Sequence, residues 1–448
     1  MLILAIVLLL VMVLKFKIQA FLALIIVSMT VGLAMGMSVN KIFESIQSGM
    51  GSTLGFVATV VGLGAIFGQI LESSGGADSL ARFLIRRFGK DNAQWALAMA
   101  GFLIAISIFF DVGFIILIPL VYALAKDTGK QLLFYGIPLL AGLNITHTFV
   151  PPTPGPVAVA QILQADIGWV ILLGILIGIP VAVLSGPLFG TYISKKIRPD
   201  NTPELMVSRD ASDPVKGEVA FKLVLSILLL PIVLIVAYSI VKWLVDAGGM
   251  QKGFLSNVFM LLGHPFAALA LATVTALYFL GVRRGKSGTE LLQISTKSLA
   301  PAGLIILVTG AGGVFKQVLI DSGIGKSLAE AVAGSGIPLL VLAYVLAVII
   351  RLSQGSATVS MITAASIISP IMAKAVLVES EKALLVLAIA SGSLIFSHVN
   401  DSGFWLVGKY LGLSEKQTLG SWSIMVTIES VLGFLLILIV SAVLKLLA

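Results

Sequence analysis

Long apolar runs separated by short polar breaks make up nearly the whole chain. A membrane-spanning helix needs roughly 20 apolar residues. The runs that approach this length are 1–14, 18–36, 53–72, 93–110, 112–125, 131–150, 167–193, 219–245, 257–281, 299–320, 336–351, 357–376, 382–398 and 423–446. Several are too short for a simple crossing, and others are interrupted by Gly, Pro or polar residues. The interrupted ones carry most information, because non-helical backbone is tolerated at membrane depth only beside protein or a cavity. One stretch, 194–218, has mixed charge, prolines and no apolar period. It is predicted to be a linker.

The chain also repeats itself. Residues 60–84 and 308–332 align without a gap at an offset of 248, with 11 of 25 positions identical. Two related halves in one hydrophobic chain are a mark of transporters, whose site lies between the repeats. The paired glycine runs in these segments, GLGAIFGQ and TGAGGVFKQ, predict hairpins or tight helix contacts rather than a nucleotide loop, because no strand precedes them and no GK[ST] follows.

Composition agrees with the pattern. Hydrophobic residues make up 58% of 448 and charged residues 11%, against about 25% charged in a soluble domain. The absence of cysteine excludes disulfides and thiol chemistry. The net charge of +8 needs no nucleic-acid partner, since the basic residues gather in short loops, where they set orientation. The opening run to Leu14, followed by Lys15 and Lys17, reads as a retained first helix.

Loop charge sets the expected relation of the halves. The loop 82–91 holds Arg82, Arg86, Arg87 and Lys90, whereas its match, 322–336, holds only Lys326. The loop 37–50 holds only Lys41, whereas its match, 283–297, holds Arg283, Arg284, Lys286 and Lys297. Basic loops in one half are poor in the other, which predicts opposite orientations under the positive-inside rule. The expected architecture is an all-α polytopic membrane protein with two inverted-topology repeats, residues 1–193 and 219–448. A cytosolic linker over 194–218 joins them, and both termini lie outside.

Four polar islands interrupt the apolar background. Asp111 lies inside a long apolar run, where a carboxylate costs about 2.5–3.5 kcal/mol. It either faces a cavity and carries a proton or caps the following helix. Residues 144–158 include Thr146, His147, Thr153 and Gly155, with four prolines between 151 and 156. Prolines break helices, so a fresh helix N-terminus is expected near Val157, suited to an anion; the alternative is a loop outside the membrane. Residues 351–362 place Ser353, Gln354, Ser356, Thr358 and Ser360 around Gly355. They either admit a ligand to the backbone or let helices pack closely. Arg351 reads as the end of its helix rather than a ligand. Residues 395–405 cluster Ser397, His398, Asn400, Asp401 and Ser402. Thr146-His147 and Ser397-His398 read as matching positions of the two halves. No spacing matches a metal site, and no Walker, nucleophile-elbow or zinc-protease motif occurs, so neither a cofactor nor an enzyme is expected.

The islands resemble the signatures of the gluconate permease family. Thr146-His147 followed by Pro151 to Pro156, Gly355 to Thr358, Ser397 to Asp401 with Gly403-Phe404-Trp405, and Asp111 to Phe114 carry the likeness, which covers essentially the whole chain. Two positions depart from it: Thr153 stands where many members have histidine, and Thr148 where many have glycine. The resemblance implies two re-entrant hairpins, a homodimer in the bacterial inner membrane, and a transport domain moving against a scaffold. It implies symport of protons with gluconate or a related sugar acid; a small hydroxy acid or D-serine is the alternative. The expected substrate-binding residues are Thr146, His147, Thr153, Gly155, Ser353, Gly355, Ser356, Thr358, Ser397, His398, Asn400 and Ser402. The expected proton carriers are Asp111, Asp401, His147 and His398.

Overall fold

The computed structural model describes residues 2–199, 219–324, 337–372, 375–399 and 401–447. Most of the expected linker, residues 200–218, lies outside these. Among the described residues every regular element is helical. In chain order the first half holds α1 (Leu2–Leu14), α2 (Ala20–Ala34), α3 (Val39–Ser73), α4 (Gly76–Phe88), α5 (Ala93–Ile104), α6 (Phe110–Thr128), α7 (Leu132–Phe149), α8 (Pro154–Leu163) and α9 (Ile167–Ile193). The second half holds α10 (Phe221–Asp246), α11 (Phe254–Gly263), α12 (Pro265–Arg284), α13 (Gly288–Asp321), α14 (Leu339–Gln354), α15 (Ala357–Met372), α16 (Glu379–Leu394), α17 (Ser402–Leu411) and α18 (Glu415–Leu446). Seven helical stretches are long and apolar enough to cross a membrane.

The longest helices are the two that carry the sequence repeat. The sequence places the first apolar run at 53–72, but α3 begins at Val39. Ser38 caps it there by accepting from the Lys41 N–H at 3.3 Å, satisfying an otherwise orphan donor. At the start of α13, Ser287 and Glu290 form a capping box. α3 and α13 pack against each other more extensively than any other pair. Their backbones touch: a Cβ on Gly49 would fall 2.6 Å from the Gly313 carbonyl oxygen, and one on Gly313 would fall 2.1 Å from Thr53 Oγ1. Of the two readings of the glycine runs, the second copy makes the tight helix contact. α2 and α12 flank this pair.

The broken elements lie beside it. The run 93–110 does not stay helical: α5 ends at Ile104, and the chain is irregular until α6 begins at Phe110. The second half repeats the plan, with α14 ending at Gln354 and α15 beginning at Ala357. α7 and α16 are largely buried, and each leads through a second break into a short helix, α8 or α17. The N-caps of α8 and α17 (Thr153 and Asp401) are separated by the repeat offset of 248, as are those of α9 and α18 (Asp166 and Ser414). Both α9 and α18 contain a π-helical turn, Leu184–Leu188 and Leu419–Ser423. α8 packs on α15, and α9 packs on α16 and α18, so the halves interlock.

The histidine correspondence does not follow this plan. α7 runs to Phe149, so His147 sits in its last turn; α16 stops at Leu394, so His398 sits in the connection beyond it. The second connection is longer, which breaks the match.

Candidate functional site

The irregular segments converge on a cavity of about 590 Å³ between the halves. Three helix beginnings open onto it: Phe109–Val112 at α6, Gly355–Val359 at α15, and Asp401–Gly403 at α17. Each has free N–H groups and a partial positive charge in its first turn. The beginning of α8, where an anion is expected, does not open onto this cavity. Its N-cap residue Thr153 makes no side-chain capping bond, a proline occupies its first turn, and Pro152 to Pro154 line a separate gap of about 20 Å³.

Charge enters the cavity in a fixed arrangement. Arg351 is only 5% exposed, and its Nη2 lies 2.5 Å from Asp401 Oδ2. The same guanidinium donates through Nη1 to the carbonyl of Gly355. This follows from the helix end: Gly355 takes the left-handed conformation (φ 79°) that terminates α14, and a cation in the last turn meets an orphan carbonyl. Arg351 does mark the end of its helix, and that end lies within the cavity wall. Asp401 also accepts from Ser397 Oγ at 2.5 Å and from the Gly403 N–H at 3.1 Å. Trp422 Nε1 donates to Ser397 at 2.7 Å.

Asp111 is different. It stands in the first turn of α6 on the cavity wall, and among the described residues its carboxylate has no hydrogen-bond or ion-pair partner. Buried polar atoms nearby also lack protein partners: Gln354 Oε1 and Nε2, Arg351 Nε, His147 Nδ1 and Thr146 Oγ1. Folded proteins leave few such atoms unpaired, and those that remain call for a ligand, water or ion.

The cavity gathers Asp111, His147, Gly355, Ser356, Thr358, Asp401 and Ser402 from the expected residues. The others among the described residues fall outside its wall. Thr153 donates to the Val150 carbonyl at 2.7 Å and borders the small gap. Gly155 packs against α15, where a Cβ would lie 3.0 Å from Met361 Sδ and 4.0 Å from Thr358 Oγ1. Ser353 turns back onto the Ile349 carbonyl. His398 Nε2 lies 3.1 Å from the Leu352 carbonyl oxygen. Thr146 is fully buried behind the wall, and Ser397 holds Asp401 from outside it. Asn400 lies outside the described residues. The sequence reading set Arg351 aside as a helix end and did not consider Asn144 or Trp422; all three line the cavity. A lone arginine in an apolar run was the available signal for Arg351. Asn144 and Trp422 gave none.

Residues 1–443 match the model of the GntP family permeases. The chain belongs to the GntP family. It is 42% identical over 437 residues to a gluconate permease of Pseudomonas aeruginosa, covering 97% of this chain and 96% of that one. It is 41% identical over 432 residues to the low-affinity gluconate transporter of Escherichia coli K12, covering 96% and 95%. Like these relatives, this GntP protein is a transporter rather than an enzyme, and a multi-pass protein of the bacterial inner membrane. Its fold is shared with the YdaH transporter of Alcanivorax borkumensis, at a TM-score of 0.63 and 15% identity over 89% of this chain and 88% of that one.

Proposed function

We propose that this GntP permease imports gluconate or a related sugar acid together with protons. The observation that carries this reading is the cavity: three positive helix beginnings, Arg351 and the unpaired Asp111 share one wall. At about 590 Å³ it falls in the ~300–1,000 Å³ range of small-molecule sites. Ser356, Thr358 and Ser402 supply hydroxyls suited to a polyol, and two relatives of high identity bear gluconate in their names.

Coupling follows from charge. Arg351 and Asp401 cancel, so an ionised Asp111 leaves the wall negative and repels a carboxylate. Protonating Asp111 removes that repulsion, so anion and proton favour each other's binding. The pair then crosses as a neutral load, unopposed by an inside-negative potential that acts at about 2.3 kcal/mol per charge per 100 mV. Asp401 suits this role less well, because its carboxyl group is already engaged by Arg351, Ser397 and the Gly403 N–H.

The transport cycle we infer is alternating access between halves of opposite orientation. What supports it is a difference in size: the gap at Thr153, beside α3, holds about 20 Å³, whereas the cavity at Asp401, beside α13 and also lined by Phe109–Val112, holds about 590 Å³. Proteoliposomes test the function: an inward proton gradient should drive saturable accumulation of labelled gluconate. Uptake indifferent to the gradient would overturn the coupling. An ammonium-bearing substrate such as D-serine is the second reading, since Asp111 offers an unpaired carboxylate across from Arg351. It requires D-serine to outcompete gluconate.

A further inference from the structure

A second carboxylate lies deeper than the cavity wall. Glu429, on α18, is 0% exposed. Asn144 on α7 donates from Nδ2 to its Oε2 at 2.6 Å, and Ser185 Oγ on α9 lies 3.3 Å from its Oε1. Among the described residues no cation is paired with it. α7 and α9 contain no Lys or Arg. Lys382 of α16 is paired with Glu379 in its own first turn, and Lys416 and Lys445 stand near the two ends of α18. The other groups facing this region are His147, one turn beyond Asn144, and Tyr344 of α14, which meets α18 through Ser430 at 3.1 Å. Arg351, on the helix that carries Tyr344, is committed to Asp401.

We propose that Glu429 is a proton-binding site of the transport cycle, reached from the substrate cavity past Asn144. An uncompensated carboxylate in this setting is costly, and a neutral acid is not. The hydrogen bonds fit a neutral acid. Ser185 has one hydroxyl hydrogen and two acceptors in reach, the Val181 carbonyl at 2.8 Å and Glu429 Oε1 at 3.3 Å. Asn144 supplies the donor for Oε2. A protonated Oε1 can donate to the Ser185 oxygen and leave that hydrogen with the Val181 carbonyl, whereas a carboxylate must compete with the carbonyl for it. Ser185 reaches this position from the π-helical turn of α9, a feature that often marks functional sites.

The link to transport is Asn144, which both bonds Glu429 and lines the cavity. When its side chain moves aside, the acid faces the cavity. The step breaks the O–H bond of Glu429 and forms one on cavity water or on the Asp111 carboxylate, with no change of redox state. Two carboxyl groups then report to one cavity, Asp111 at its wall and Glu429 behind it.

This inference rests on proton coupling, and infrared difference spectroscopy of the protein in lipid tests it separately. The carbonyl stretch of a buried protonated carboxylic acid should be present in the parent and in Asp111→Asn, and absent in Glu429→Gln. In proteoliposomes Glu429→Gln should lose at least tenfold in gradient-driven accumulation, and whatever exchange it retains should be insensitive to pH. An unchanged band, or parent-like accumulation, overturns the proposal. If Glu429→Gln does not fold, Asn144→Leu takes its place. The band should then persist, with its hydrogen–deuterium exchange slowed at least tenfold; an unchanged rate overturns the route past Asn144. A parent that accumulates nothing under a proton gradient refutes the coupling itself, whatever the band shows.

Discussion

The two halves break their helices at equivalent places and treat the breaks in opposite ways. In the first, residues 105–109 and 150–153 close against Val61, Gly64 and Ala65 of α3 and leave about 20 Å³. In the second, the equivalent segments stand away from Pro301, Leu304, Ile305 and Val308 of α13 and border about 590 Å³. The polar groups explain part of the contrast. Thr153 satisfies its hydroxyl on the neighbouring Val150 carbonyl, and the small gap is left with the uncharged Ser107 Oγ unpartnered. The second carries Arg351, Asp401 and an unpartnered Gln354, which an apolar closure would strand. A shared plan with one open and one closed pocket is what a carrier caught on one side of its cycle should show.

The comparison breaks most severely at Arg351. Arg351→Gln leaves Asp401 buried without its countercharge, a loss of about 3–5 kcal/mol for such pairs; gluconate uptake should vanish and the melting temperature should fall. A double substitution with Asp401→Asn should regain stability without regaining uptake. Normal uptake by the single variant would remove Arg351 from the site. Asp111→Asn comes next. Accumulation driven by a proton gradient should drop at least a hundredfold, and much more than gluconate exchange does, because the load can no longer be neutralised. Normal accumulation would show that Asp111 is not the carrier.

Smaller effects sharpen the boundary of the open pocket. Thr358→Val removes a hydroxyl from its wall while keeping the shape, so the KM for gluconate should rise about tenfold, equivalent to a hydrogen bond of ~1.4 kcal/mol. Ser353→Ala and His398→Ala should change KM less than twofold, since both side chains engage backbone carbonyls away from the cavity. A large rise for either would mean that the wall extends further than its present outline.

Much of this was legible in the chain. The repeat at offset 248 located the two longest helices, and the polar islands located the breaks around the cavity and the small gap, because Gly, Pro and small hydroxyls end helices for local reasons; the break at His264, between α11 and α12, falls inside the run 257–281. The choice of residues within each island was less legible. Thr153 and Ser353 have the same chemistry as Thr358, yet the first two bond carbonyls three and four residues back in the chain while the third lines the cavity. Arg351 reads as a helix end in the chain, and only the fold shows that this end lies in the cavity wall. The α3 N-terminus extended beyond its apolar run because capping by Ser38, rather than hydropathy, sets where that helix begins.

Cysteine accessibility tests alternation most directly, since the natural chain contains no cysteine. Leu304→Cys on the open side and Val61→Cys on the closed side, made singly, should react with a membrane-impermeant maleimide in opposite patterns. In the state described here Leu304→Cys should label rapidly from one face and Val61→Cys should not. Gluconate together with a proton gradient should protect the first and expose the second to reagent on the other face. Labelling of both from the same face, or of neither in any condition, would contradict a cycle that opens the two pockets in turn.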